Sequence, residues 1–72
     1  MPKLGVFSGS DVCRILERNG FINVRQRGSH VVMQKPGLPT RTVPVPLHRE
    51  LRTGTLLSII RQSGISRDSF EK

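Results

Sequence analysis

The chain has 72 residues, of which 35% are apolar and 24% charged, enough for one thin core and unlike a disordered tail. Twelve Lys and Arg against five Asp and Glu leave a net charge of +7, and the single cysteine, Cys13, excludes an internal disulfide and a cysteine-based zinc site. No apolar run approaches the roughly 20 residues of a membrane helix and no signal-peptide pattern opens the chain, so the expectation is a soluble cytoplasmic protein with one domain over residues 1–72.

Ser8-Gly9-Ser10-Asp11 predicts a helix start, with Ser8 as N-cap and Asp11 as its capping-box partner. Val12, Ile15 and Leu16 then recur at helical spacing, Cys13 joins them as a small buried residue, and Asn19-Gly20 closes the helix with a left-handed cap. Phe21 to Gln26 reads as a short strand, and His30 to Lys35 as its hairpin partner, with the turn at Arg27-Gly28-Ser29. Lys35 to Thr40 holds three turn formers in six residues and reads as a loop.

Arg41 to Pro46 predicts a third strand with Val43 and Val45 on one face. Pro44 and Pro46, two apart, remove backbone donors from one and the same side, which places this strand at a sheet edge with that side outward. Thr53-Gly54-Thr55 opens a second helix whose apolar stripe is Leu56, Leu57, Ile59 and Ile60, and Gly64 ends it. Ser66 to Phe70 forms a last helical turn, with Ile65 and Phe70 tucked onto the core. Helix, three antiparallel strands, helix is a two-layer α+β arrangement with both helices on one sheet face. Double-stranded RNA-binding domains share that layout.

Nine of the twelve cations are arginine, whose guanidinium forks match phosphate oxygens, so the charge points to nucleic acid or to an acidic protein. The five carboxylates show no paired spacing and two histidines alone make a poor metal site, so neither metal nor cofactor is expected. A Ser–His–Asp arrangement at Ser29-His30 is disfavoured because neighbours in a strand point to opposite faces.

Acid–base cleavage of RNA asks for less, since the 2′-hydroxyl is its own nucleophile. A histidine that titrates near neutral pH suits the base role. Arg25, Arg27 and Lys35 share the hairpin with His30 and are candidate phosphate contacts. The residues alone leave His30 open between structural strand residue, phosphate contact and catalytic base. His48 has two readings, a locally packed loop histidine or a second RNA-facing group. It lies beside Arg49, Arg52 and a helix start where Thr53 and Thr55 add hydroxyls.

"GSH" at Gly28-Ser29-His30, followed in order by "VPVPLHRELRTGTLLSIIRQSGIS", resembles the HicA family of bacterial toxins from about Ser8 to Phe70. The resemblance implies a double-stranded-RNA-binding-like fold turned into a metal-independent endoribonuclease that cuts mRNA. It also implies that the essential histidine is His30, with Ser29 beside it in the motif, and that the partner is a HicB antitoxin blocking the active site. Two rivals stand beside it: a non-catalytic RNA-binding module on the same basic surface, and an interaction protein whose basic face docks an acidic partner.

Overall fold

The structure, a computed structural model, describes residues 5–71. Its elements are α1 (Gly9–Arg18), β1 (Ile22–Arg27), β2 (His30–Lys35), β3 (Arg41–Pro46), α2 (Thr53–Ser63) and a closing 3₁₀ turn (Arg67–Phe70). The sheet is antiparallel in the order β1-β2-β3, giving the expected α+β arrangement, consistent with a double-stranded-RNA-binding-domain-like fold.

Each boundary has a local cause. At the start of α1 the Ser8 hydroxyl accepts from the Asp11 N–H at 3.0 Å, while the Asp11 carboxylate accepts from the Ser8 N–H at 3.1 Å. This reciprocal pair satisfies two of the donors that a helix start leaves open. Gly20, at φ 91°, lets the chain leave α1. Phe21 was expected to begin the first strand, but its N–H donates to the Leu16 carbonyl at 3.0 Å and its ring is buried. It therefore belongs to the helix exit, and β1 starts one residue later. Gly28 at φ 57° and Ser29 make the two-residue turn between β1 and β2, the glycine supplying the positive φ that such a hairpin needs first.

The third strand lies at the edge, as the prolines required. Leu47 donates its N–H to the Ser29 carbonyl across the β2–β3 seam at 2.6 Å. By alternation Pro44 and Pro46 turn their missing donors outward.

The core is one layer between sheet and helices. Val31 and Met33 of β2 and Val43 and Val45 of β3 share one face, buried against Val12 and Leu16 of α1 and Leu56 and Ile59 of α2. Phe7 and Phe70 close it with an edge-to-face pair, ring centroids 6.2 Å apart at 83°. Leu57 was expected in the α2 stripe and stands instead 42% exposed. The buried positions of α2 are 56, 59 and 63, with 60 half-buried, and Leu57 lies outside that i, i+3, i+4, i+7 row.

Both helices contact β3, and their cover does not extend over β1, all six residues of which are exposed. A bulge at Val24 interrupts the β1–β2 ladder between Asn23 and Arg25.

Candidate functional site

The two-residue turn sets His30 as the first residue of β2, directly opposite Arg27 of β1 and Pro46 of β3. Because Val31 and Met33 face the core, alternation puts His30 on the other, uncovered face of the sheet. Arg27 is its cross-strand neighbour there, with Cβ atoms of such pairs about 5 Å apart. Arg25, opposite Val32, follows on the same face about 7 Å further along.

Three backbone hydrogen bonds stitch the β3–α2 segment to this end of the domain. Leu47 N–H reaches the Ser29 carbonyl at 2.6 Å, Gly9 N–H reaches the His48 carbonyl at 2.9 Å, and Leu51 N–H reaches the Phe7 carbonyl at 2.9 Å. The hairpin turn, the segment 47–52 and the starts of both helices are thereby gathered in one place. Gly9 is buried, and a Cβ there would overlap the Pro46 carbonyl oxygen and lie 2.8 Å from Leu47 Cα. Only glycine lets α1 begin this close to the chain that carries His48. Sequence reading took Gly9 merely as the opening residue of a helix, since nothing local signals a close approach to residues 46–48.

The two helix starts differ. The capping box occupies the first donors of α1, whereas α2 has Arg52 at its N-cap with no side-chain hydrogen bond. Thr53 and Gly54 are exposed and Thr55 is half-buried, so the positive end of α2 opens to solvent beside Arg49 and Arg52.

Among the described residues the ion pairs are Arg14–Asp11 at 3.6 Å and Arg67–Glu71 at 3.4 Å. Arg25, Arg27, Arg49 and Arg52 are exposed and have no carboxylate partner there, so their charge is left for a ligand. The imidazoles of His30 and His48 are exposed as well. The sheet register sets Arg25 and Arg27 on the same face as His30, and the backbone bonds of residues 47–51 hold the segment of His48, Arg49 and Arg52, which leads into Thr53 and Thr55, at the Ser29 end of the domain.

Lys35 stands apart. It ends β2 opposite Arg41, five residues and about 17 Å along the strand from His30. A cleft of 310 Å³ between α1 and the C-terminal turn, lined by Phe7, Arg14, Ile15 and Glu71 among others, mixes both signs of charge and does not include the histidines. No cluster of three or more metal-ligating side chains occurs among the described residues. No described helix is long and apolar enough to cross a membrane.

A family model described as the HicA toxin of bacterial toxin–antitoxin systems matches residues 9–65. No curated protein matches the chain.

Proposed function

The chain belongs to the HicA toxin family, and from that premise we propose that it is an endoribonuclease acting on mRNA, with His30 as its general base. The observation that carries this reading is the hairpin register, which sets His30 opposite Arg27 at the end of the domain where α2 starts uncapped. In the proposed reaction the neutral His30 imidazole removes the proton from a ribose 2′-hydroxyl. The 2′-oxygen attacks the adjacent phosphorus, the bond to the 5′-oxygen breaks, and that oxygen leaves with a proton from solvent. The products are a 2′,3′-cyclic phosphate and a 5′-hydroxyl end.

Charge builds on the non-bridging oxygens during attack, and Arg27 and Arg25 stand on the same face to meet it. Arg49, Arg52 and the start of α2, with Thr53 and Thr55, hold the neighbouring phosphates, and His48 adds a contact from the same segment. Ser29 shapes the turn that presents the imidazole. Cations from the arginines take the place a metal fills in other nucleases, so cleavage persists in excess EDTA. All three phenylalanines are buried and the chain has no tyrosine or tryptophan, which leaves little beyond the imidazoles for base stacking and predicts weak sequence preference. A HicB-like antitoxin is the partner that silences this surface.

The test is incubation of end-labelled single-stranded RNA in excess EDTA with the wild-type chain and with His30→Ala. Cleavage by the wild type alone, with cyclic phosphate ends, is the expected result; equal cleavage by both proteins would remove His30 from its role. The rival reading, an RNA-binding module without chemistry, draws on one observation: no side chain among the described residues hydrogen-bonds the His30 ring. It predicts intact RNA, bound equally by both proteins.

A further inference from the structure

The strand β1 carries a free edge that neither the core nor the proposed chemistry uses. It is the outer strand of the sheet and exposed along its whole length, with Ile22 at 53% and Val24 at 45% exposure. In a two-residue hairpin the pair that closes the turn exchanges both backbone hydrogen bonds, here Arg27 and His30. The N–H and C=O of Gln26 therefore point away from β2, as do those of Asn23 beyond the bulge, whose opposite number Met33 serves β3. Backbone donors and acceptors alternate along this edge beside two exposed aliphatic side chains and two arginines that have no carboxylate partner among the described residues.

We propose that the free edge of β1 is the docking strand for an extended, acidic segment of a partner protein that covers the His30 face, the segment pairing with β1 and setting its carboxylates beside Arg25 and Arg27. Strand addition supplies the affinity and alternate side chains supply the selectivity. Carboxylates on alternate residues of the incoming strand meet Arg25 and Arg27, which share one face of the sheet. A second copy of this chain is the wrong occupant, because it would set arginine against arginine on a molecule already at +7. RNA is wrong as well: phosphates only accept hydrogen bonds, and nothing in their backbone matches aliphatic side chains. The proposal rests on the reading of the His30 face as one that a partner must cover, and it specifies how the cover is attached.

The test uses the isotope-labelled full chain and a blocked peptide of about six residues, the length of an ordinary strand, with glutamates at alternate positions and valines between. Amide shifts on titration should be saturable and centred on residues 23–27. The same peptide with lysine for glutamate should bind roughly tenfold or more weakly, a difference of about 1.4 kcal/mol. Gln26→Pro removes an outward-facing donor without touching the β1–β2 ladder, so it should abolish peptide binding while RNA cleavage continues. If that variant loses its folded spectrum, the double substitution Arg25→Glu and Arg27→Glu decides instead: it should reverse the preference towards the lysine peptide.

Four results overturn the proposal. They are no saturable shift, shifts confined to the start of α2, equal binding of both peptides, and edge amides that respond to a short single-stranded RNA or to self-association rather than to the acidic peptide. Absence of RNA cleavage in the same samples would count against the ribonuclease reading alone, since peptide binding is measured independently of it.

Discussion

Replacing Gly9 with alanine sets two effects of opposite sign against each other. Alanine at a helical position gains up to about 1 kcal/mol over glycine, from helix propensity and a less flexible unfolded chain, and less than that at a first position. Against this, the new methyl overlaps the Pro46 carbonyl oxygen and sits 2.8 Å from Leu47 Cα, both backbone atoms that cannot swing aside. Overpacking of this kind costs about 1–3 kcal/mol. Pushing the segment away also stretches the 2.9 Å bond from Gly9 N–H to the His48 carbonyl, a further loss of about 1 kcal/mol. The net expectation is destabilisation by about 1–3 kcal/mol out of a total of about 4–11 kcal/mol for a chain this size. In urea, followed by circular dichroism, the midpoint should fall by about 1–2 M with little change in slope. RNA cleavage should fall with it under native conditions, because the displaced segment carries His48 and Arg49. An unchanged or higher midpoint would refute the claim that this glycine is required by tertiary contact.

The C-terminal turn is part of the core, so Phe70→Ala, which empties a fully buried site and loses the edge-to-face pair with Phe7, should cost about 3–5 kcal/mol in a denaturant melt and leave the fold marginal. Burial, reinforced by the charge of Glu17, holds the Cys13 thiol above its ordinary value. The folded thiol should therefore alkylate more slowly than that of the urea-unfolded chain at about pH 8. Its contribution to stability is complete below the unfolded thiol's pKa and lost as pH rises through the folded value, so a urea midpoint in the alkaline range should drop less in Cys13→Ala than in the wild type. Arg27→Ala should weaken RNA binding and flatten the salt dependence by about 0.7 in log–log slope for one lost phosphate contact on a single strand. Lys35→Ala, at the far end of β2, should leave the cleavage rate close to that of the wild type; an equal loss from both substitutions would show that the RNA path runs the length of the sheet.

Much of this protein was legible along the chain because the signals involved are local. The capping box at Ser8 and Asp11, the positive-φ glycines at 20, 28 and 64, and the alternating valines of β2 and β3 act within a few residues, and every element was legible to within a residue or two, β1 lying one residue further along than expected, with Phe21 outside it and Arg27 inside. Pro44 and Pro46 were informative at longer range, since a missing donor on one side constrains which side can be paired. The motif Gly28-Ser29-His30 named the candidate base, and the family match over residues 9–65 agrees with the resemblance it suggested.

The tertiary structure alone decided the rest. Phe21 left the strand because its amide found the end of α1, and Leu57 left the core because β3 meets the other side of α2. Lys35 and Arg25 look alike as hairpin cations, yet antiparallel pairing sends one to the far end of the sheet and keeps the other near His30. Gly9 meets residues 46–48 across nearly forty positions of chain, and the bareness of β1 depends on where the helices stop. Local propensity acts through the backbone of a few neighbours, whereas these outcomes depend on which surfaces meet once the chain is compact, and no short window of residues encodes that.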